Sequence, residues 1–219
     1  AQQKGTGDAV EAARASLEDS DSVLMVLSGD VPMIRSETLS KLLDHHLTTA
    51  SDCSILTVRL ENPTGYGRVI RNSDESFARI VEHKDASDDE RQVKEINSGI
   101  YCFNTRKLFK ALKQVKPANQ QGEYYLTDVP GILLKEGGSV TCFLHSDARE
   151  VYGINTRAEL AEFENLVRRN TIRKLMVGGI LGRCRRVIVQ RIARVGLVAI
   201  GRRDEQVVVE DGVSEPLEL

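Results

Sequence analysis

Apolar and polar positions follow two alternating patterns along the chain. Val23–Leu27 is a short run of apolar residues only, which predicts a strand buried on both faces of a parallel sheet. In Ser36–Leu47, by contrast, leucines recur at three- and four-residue intervals, the pattern of a helix with one buried stripe. Strand and helix patterns alternate as far as about Val177, which predicts an α/β domain.

The same patterns assign the remaining elements. Further strands are predicted at Cys53–Leu60, Arg68–Arg71, Phe77–Glu82, Ile96–Phe103 and Val140–Leu144. Helices are predicted at Asp8–Leu17, after caps at Ser36 and Thr105, from Thr127 or Asp128 to Gly137, and from a cap at Thr156 to about Met176. The strands on either side of Asn72-Ser73-Asp74 form a hairpin, because turn-forming polar residues separate them.

The composition changes after Val177. The ten lysines of the chain all precede this point, whereas residues 178–219 contain seven arginines and no lysine. Neither a strand nor a helix period is sustained there, although Val187–Val189 and Val207–Val209 are candidate strands. We therefore predict two parts, a domain at 1–177 and a tail of unknown structure at 178–219.

The overall composition gives no reason to expect a nucleic acid or a membrane as a partner. Hydrophobic residues make up 41% of the 219 positions, charged residues 28%, and the net charge is −2, so no excess of basic residues attracts anionic surfaces. No apolar run approaches the ~20 residues of a membrane span. The four cysteines lie far apart, without the paired spacing of a zinc site, so we expect buried, reduced thiols in a cytoplasmic protein.

Ser28-Gly29-Asp30 is the first candidate for chemistry, because it directly follows the strand Val23–Leu27. Ligands of open α/β sheets bind beyond the carboxyl ends of the strands, so a carboxylate is well placed there. Asp30 is a hard oxygen donor that suits Mg²⁺. The structural alternative is that Asp30 caps the turn into Val31-Pro32.

Two glycine motifs are also suited to a phosphorylated ligand. Gly5-Thr6-Gly7 precedes a predicted helix, and Thr64–Arg68 places two glycines around Tyr66. Glycine lets a backbone approach a ligand closely, and a helix amino end favours negative charge. For both motifs the alternative is an ordinary turn.

Three polar side chains complete the candidate site. Glu82 closes an apolar strand, while Asn97 and Asn155 stand in the similar tripeptides Ile-Asn-Ser and Ile-Asn-Thr. A carboxylate accepts hydrogen bonds from sugar hydroxyls, and an asparagine offers both an oxygen acceptor and amide donors. Asn155 has an alternative role in the cap of the helix that follows, and His83 is disfavoured as a general base.

These motifs, with several others, occur in a recognisable order. GTGDA, SGDVP, PTGYGRVIR, IVEHKDAS, EINSGIY, QGEYYLTD and YGINTRAEL follow one another along the chain. From residue 2 to about 178 they resemble bacterial bifunctional N-acetylglucosamine-1-phosphate uridylyltransferase/glucosamine-1-phosphate N-acetyltransferase. The resemblance implies that residues 1–177 belong to the uridylyltransferase domain, a Rossmann-like nucleotidyltransferase domain with a mixed, mostly parallel sheet.

The resemblance also implies a reaction. A uridylyl group would pass from UTP to N-acetylglucosamine 1-phosphate with Mg²⁺ as cofactor, giving UDP-N-acetylglucosamine and pyrophosphate, in a protein that assembles as a homotrimer. In the implied site, Gly5 and Thr6 contact the uracil end, and Gly67, Glu82 and Asn97 hold the sugar. The residues Ser28, Gly29 and Asp30 line the site between them. The implied metal ligands are Asp30 and Asn155, and Asp30 is also the implied catalytic residue.

Two features of this family pattern are missing from the 219 residues. One is a glycine-rich loop of the type Leu-x-x-Ala-Gly-x-Gly-Thr-Arg-Met, which cradles the triphosphate, and the other is the hexapeptide repeat of a left-handed β-helix after residue 178. We therefore expect an N-terminally incomplete domain that leaves Val23–Leu27 with an unpaired edge, is marginally stable and is inactive alone. The arginine-rich, lysine-free composition of residues 178–219 also suggests the hypothesis of a shifted reading frame or an aberrant end. Two alternatives stay open: another sugar-phosphate nucleotidyltransferase, and a non-catalytic remnant that binds nucleotide sugar.

Overall fold

The computed structural model describes residues 4–18, 20–154, 157–177, 196–200 and 206–209. The helices are α1 (Thr6–Glu11), α2 (Arg14–Leu17), α3 (Ser36–Thr49), α4 (Asp88–Arg91), α5 (Thr105–Leu112), α6 (Asp128–Lys135) and α7 (Arg157–Val177), with a 3₁₀ helix at Ala148–Val151. The strands are β1 (Val23–Leu27), β2 (Cys53–Arg59), β3 (Arg68–Arg71), β4 (Phe77–Val81), β5 (Glu95–Asn104), β6 (Val140–Leu144), β7 (Gly196–Ile200) and β8 (Gln206–Val209).

The predicted strands of the first 177 residues are confirmed within one residue at either end, and the helices differ mainly at their amino ends. The predicted helix Asp8–Leu17 is two short helices, α1 and α2. Thr105 is the first residue of α5 rather than its cap, because the side chain of Asn104 accepts from the amide of Lys107 at 3.1 Å. The predicted cap Thr156 lies outside the described residues.

Strand β5 is the strand to which most of the sheet attaches. It pairs antiparallel with β2 along one side. On its other side, the carboxyl-terminal half pairs with β1 and the amino-terminal end pairs with β3, both antiparallel. Within β5, the pairing with β1 extends from Asn104 back to Tyr101, and the pairing with β3 is at Ile96. The sheet therefore has a break on this side of β5, opposite residues 97–100.

The sheet is mixed, as predicted, but the expected predominance of parallel pairs is wrong. In the described part of the chain, β2 and β6 form the one parallel pair, and the other pairs are antiparallel. The prediction failed because an apolar run such as Val23–Leu27 reports burial of both strand faces, and it does not report the direction of the neighbouring strand. Burial itself is confirmed, because Leu24 and Val26 pack in one apolar cluster and Met25 in another.

Strand β1 also has a partner on its outer side. β7 pairs with it antiparallel, from Leu27 opposite Gly196 to Val23 opposite Ile200, and β8 pairs with β7. The expected unpaired edge is therefore wrong. The candidate strand Val207–Val209 is confirmed as part of β8, whereas Val187–Val189 lies outside the described residues. The boundary after residue 177 stays a prediction.

The three cysteines that the structure describes are free thiols, as predicted. Cys53 and Cys102 are fully buried and Cys142 partly so, and burial raises the pKa of Cys102 to about 12. No helix in the described ranges combines the length and apolar character needed to cross a bilayer.

A histidine and two hydroxyls join α3 to the sheet. His46 of α3 is 3% exposed, and its Nδ1 lies 2.9 Å from the hydroxyl of Ser54 on β2. That hydroxyl lies 3.0 Å from the hydroxyl of Thr141 on β6. Burial lowers the pKa of His46 to about 4, with smaller effects from neighbouring charges. The imidazole is therefore neutral in the folded protein near neutral pH.

This buried imidazole makes the stability depend on pH. Because the folded-state pKa lies below the ordinary value of 6.5, the unfolded chain binds a proton between these two values that the folded chain does not. The free energy of unfolding should fall by about 2–3 kcal/mol from this group between about pH 7 and pH 4.5. We expect His46→Gln to be less stable at pH 7 but to lose less free energy on acidification, as measured by urea unfolding at both pH values. Equal losses in the two proteins would contradict this assignment.

Candidate functional site

A cleft of about 910 Å³ opens where β1 ends and β3 begins. Its volume is that of a small-molecule binding site. The lining residues come from α1, from β1 and the loop after it, from the loop before β3, from the position after β4, from the middle of β5, from the segment around residue 126, from the 3₁₀ helix and the segment after it, and from α7. They are Thr6, Val10, Val26, Leu27, Ser28, Asp30, Val31, Met33, Thr64, Gly65, Tyr66, Gly67, Glu82, Asn97, Ser98, Gly99, Tyr101, Leu126, Thr127, Arg149, Tyr152, Gly153, Ile154 and Phe163.

The structure brings most of the predicted site residues to this one cleft. Six of the nine line it: Thr6, Ser28, Asp30, Gly67, Glu82 and Asn97. Gly5 and Gly29 are not among the lining residues but are adjacent in sequence to ones that are. Asn155 lies outside the described residues, and the lining residue Ile154 precedes it.

A bulge in β5 forms the floor of the cleft. The register between β2 and β5 shifts between Ile55 and Thr57, and Gly99 has a φ of 76°, a left-handed conformation that glycine adopts at little cost. Side-chain hydrogen bonds to the backbone replace the strand-to-strand hydrogen bonds that the bulge interrupts. The Asn97 Oδ1 accepts from the amide of Gly99 at 3.1 Å, and the Ser98 hydroxyl donates to the carbonyl of Leu56 at 2.7 Å. The bulge is therefore specified by the sequence Asn-Ser-Gly.

The end of β1 packs directly against this bulge. A Cβ atom added to Gly99 would lie 2.6 Å from the Ser28 hydroxyl oxygen, so the Ser28 side chain would have to shift, and the left-handed φ of Gly99 disfavours other residues as well. Two residues further, the backbone carbonyl of Asp30 accepts from the amide of Ile154 at 2.9 Å. The backbone of Ser28–Asp30 is thus fixed on both sides, by β5 and by the segment before residue 155.

The carboxylate of Asp30 has the properties of a hard metal ligand. It is exposed, lines the cleft and makes no hydrogen bond or ion pair with another described side chain. Within the described ranges, no three His, Cys, Asp or Glu side chains come close enough to hold a metal among themselves. One free carboxylate fits Mg²⁺, which keeps several waters and shares its coordination with substrate phosphates.

The side of the cleft formed by β3 and β4 brings Gly67 and Glu82 together. The carbonyl of Gly67 accepts from the amide of Asn97 at 2.9 Å. A Cβ at Gly67 would lie 3.4 Å from a carboxylate oxygen of Glu82, so the glycine leaves open the space beside this carboxylate. The hydroxyl of Thr127 donates to the other Glu82 oxygen at 3.0 Å.

The pKa of the Glu82 carboxylate is raised above the ordinary value of a glutamate. Burial raises its pKa, the hydrogen bond from Thr127 lowers it, and the neighbouring charges of Asp85 and Asp128 raise it further. The hydrogen bond from the Thr127 hydroxyl therefore favours the ionised form of Glu82. This form accepts hydrogen bonds from ligand hydroxyls.

The segment Gly5-Thr6-Gly7 is attached to the chain around Tyr124. The amide of Gly7 donates to the Tyr124 carbonyl at 2.8 Å, and the Thr6 hydroxyl accepts from the amide of Leu126 at 3.0 Å. Gly5 has a φ of 113°, and a Cβ there would lie 2.6 Å from the same carbonyl. Close packing against Tyr124 thus explains why residue 5 is a glycine. Thr6, in addition, lines the cleft.

Tyr66, Gly99, Thr127 and Arg149 are among the lining residues that were not predicted as site residues. A glycine inside a strand pattern is a recognised signal of a bulge, so Gly99 was detectable. Thr127 was interpreted only as the start of a helix, and nothing in the sequence places its hydroxyl next to Glu82.

Comparison with known families agrees with this geometry. Residues 1–158 match the model of the nucleotidyl transferase family. The chain belongs to this family. The match includes every site residue predicted from the sequence, from Gly5 to Asn155.

Individual relatives of this nucleotidyl transferase are similar over most of its length. The bifunctional protein GlmU of Oceanobacillus iheyensis is 48% identical over 179 residues, which are 82% of this chain and 39% of that protein. GlmU of Acetivibrio thermocellus is 47% identical over 178 residues, 81% of this chain and 39% of that protein. The chain thus spans about two-fifths of the length of these relatives.

Solved structures share the nucleotidyl transferase fold at lower identity. A UDP-glucose pyrophosphorylase in complex with UDP-glucose aligns with a TM-score of 0.56 at 14% identity, over 75% of this chain and 64% of that one. A Bacillus anthracis protein described as a glucose-1-phosphate thymidylyltransferase, in complex with sucrose, aligns with a TM-score of 0.58 at 21% identity, over 77% and 63%. These likenesses confirm the α/β nucleotidyltransferase fold.

The bulge at Gly99 should be intolerant of any side chain. Gly99→Ala combines an unfavourable left-handed conformation with a clash against Ser28, and we expect it to lower the free energy of unfolding by about 2 kcal/mol or more. The matched control is Gly131→Ala in α6, where an added Cβ meets nothing within 4 Å. It should raise stability by up to about 1 kcal/mol, because alanine favours helix. Urea unfolding measures both, and equal effects would contradict the role of the bulge.

Proposed function

We propose that this nucleotidyl transferase chain supplies the sugar- and metal-binding part of a site that transfers a uridylyl group from UTP to N-acetylglucosamine 1-phosphate. The products are UDP-N-acetylglucosamine and pyrophosphate. One observation carries the proposal: six residues that the family resemblance implies for this reaction, spread from Thr6 to Asn97, line one cleft of suitable volume. The resemblance, rather than the geometry, supplies the identity of the substrates.

On the sugar side, Glu82 and Asn97 are the groups that would hold the amino sugar. The Glu82 carboxylate has one oxygen bonded to Thr127 and faces the space left by Gly67. Asn97 uses its carbonyl oxygen within the bulge and its side chain also hydrogen-bonds with Tyr101, so its remaining amide hydrogen is what it offers to a ligand. An acceptor directly after β4 and a donor on β5, which are separated in the sheet by β3, suit a ring with several hydroxyls and an acetamido group.

On the metal side, Asp30 would hold Mg²⁺, and Asn155 is the second ligand proposed from the resemblance. Bound Mg²⁺ supplies neutralisation of the charge on the phosphates. The amide of Ile154 holds the backbone of Asp30 at this end of the cleft, which is where its exposed carboxylate would meet the metal. The role of the protein is then to align the sugar-phosphate oxygen with the α-phosphorus of UTP for in-line attack, with pyrophosphate as the leaving group.

Calorimetric titration with nucleotide sugars tests this proposal. We expect the chain to bind UDP-N-acetylglucosamine more tightly with Mg²⁺ than without, and more tightly than UDP-glucose or dTDP-glucose. Equal or tighter binding of either glucose compound would favour a different sugar-phosphate nucleotidyltransferase. Absence of binding to all three, with and without Mg²⁺, would contradict the proposal.

Two substitutions separate the two sides of the cleft. Glu82→Gln should weaken binding of UDP-N-acetylglucosamine by about tenfold or more, because a hydrogen bond to a charged acceptor is lost, and it should leave the effect of Mg²⁺ intact. Asp30→Asn should instead abolish most of the effect of Mg²⁺. The control is Asp44→Asn on the exposed surface of α3, for which no change is expected. Loss of the Mg²⁺ effect in Glu82→Gln but not in Asp30→Asn would reverse our assignment.

A further inference from the structure

The cleft has two walls that are far apart in sequence. One wall is the loop Thr64–Gly67 before β3, and the other is the segment Tyr152–Ile154 that leads to residue 155. A direct contact joins them: the amide of Gly153 donates to the hydroxyl oxygen of Tyr66 at 3.2 Å. Tyr66 thus connects the loop that contains Gly67 to the segment whose Ile154 amide binds the Asp30 carbonyl.

The backbone of Tyr66 is held in place from inside the protein. Its amide donates to the Pro63 carbonyl at 3.2 Å, and its own carbonyl accepts from the guanidinium of Arg68. Arg68 is 1% exposed and makes no ion pair within the described ranges, while its Nε has no hydrogen-bond partner there. Burial of a guanidinium without a carboxylate is costly. The interaction with Tyr66 is one of the few that offset this cost.

The segment Tyr152–Ile154 follows a 3₁₀ helix that is hydrogen-bonded to α3. The carboxylate of Glu150, in the 3₁₀ helix, is 3% exposed and accepts from the Thr38 hydroxyl at 2.6 Å. This bond attaches the 3₁₀ helix to α3. The hydrogen bond between Tyr66 and Gly153 therefore joins two supported elements, and its length sets the distance between the two walls.

We infer that Tyr66 is a positioning residue that couples the sugar side of the cleft to its metal side. The inference rests on the proposed function, since it needs both a sugar ligand and a metal. A ligand that contacts Gly67 and Glu82 acts on the loop that contains Tyr66, and the Tyr66 hydroxyl transmits this effect to Gly153, Ile154 and the backbone of Asp30. By linkage, Mg²⁺ bound at Asp30 should strengthen sugar binding through the same hydrogen bond.

The test is the effect of Mg²⁺ on the affinity for UDP-N-acetylglucosamine, expressed as the ratio of Kd without Mg²⁺ to Kd with saturating Mg²⁺. Tyr66→Phe removes only the hydroxyl, and we expect this ratio to fall about three- to tenfold, the scale of one hydrogen bond between neutral groups. Tyr124→Phe is the matched control, because Tyr124 is 37% exposed and outside the lining of the cleft. The ratio should not change in it, and the urea midpoints of the three proteins should agree closely.

A second measurement needs no ligand. Amide hydrogen exchange at Gly153 in the free chain should be faster in Tyr66→Phe than in the wild type, and unchanged in Tyr124→Phe. An unchanged rate in Tyr66→Phe would overturn the inference, as would a wild-type Mg²⁺ ratio that persists in Tyr66→Phe. Absence of binding by the wild type would overturn the proposed function itself and the coupling with it, so the two failures are distinguishable.

Discussion

The left-handed backbone of Gly99 in the middle of β5 is the constraint on which the cleft depends. It shifts the register of β5 against β2, which interrupts the backbone hydrogen bonds between the two strands. Hydrogen bonds from the Asn97 and Ser98 side chains replace them. On the other side of β5, the same residues face the gap between the end of β1 and the start of β3. Because Gly99 has no Cβ, the Ser28 side chain can approach this strand closely. A regular strand with a side chain at this position would move the loop that carries Asp30.

The groups around this bulge serve the fold and the cleft together. Asn97 closes the bulge with its oxygen and, with its backbone amide, holds the carbonyl of Gly67. Glu82 is favoured as an anion by Thr127 despite its burial. Tyr66 uses its carbonyl for Arg68 and its hydroxyl for Gly153. Each of these three residues lines the cleft and is also held by at least one hydrogen bond to another part of the protein.

The sequence predicts which residues share the cleft better than it predicts the direction of the strands in the sheet. Val23–Leu27 and the Ser28-Gly29-Asp30 that follows it were identifiable because burial and chain order are local properties. Strand direction was not identifiable from the same run, and the antiparallel pairing of β1 with β5 corrects the parallel prediction. The contact between Glu82 and Thr127 joins residues 45 positions apart, and the one between Tyr66 and Gly153 joins residues 87 positions apart. No pattern in a single sequence encodes such pairs, so they had to come from the fold.

The central claim is that Asp30 binds a metal at one end of the cleft and that Glu82 and Asn97 bind an amino sugar at the other. A crystal structure of the chain with UDP-N-acetylglucosamine and Mn²⁺, in which anomalous scattering locates the metal, tests it most directly. We expect Mn²⁺ to be bonded to a carboxylate oxygen of Asp30, with the sugar hydroxyls and acetamido group within hydrogen-bonding distance of Glu82 and Asn97. A metal bound away from Asp30, or a sugar that contacts neither Glu82 nor Asn97, would contradict it.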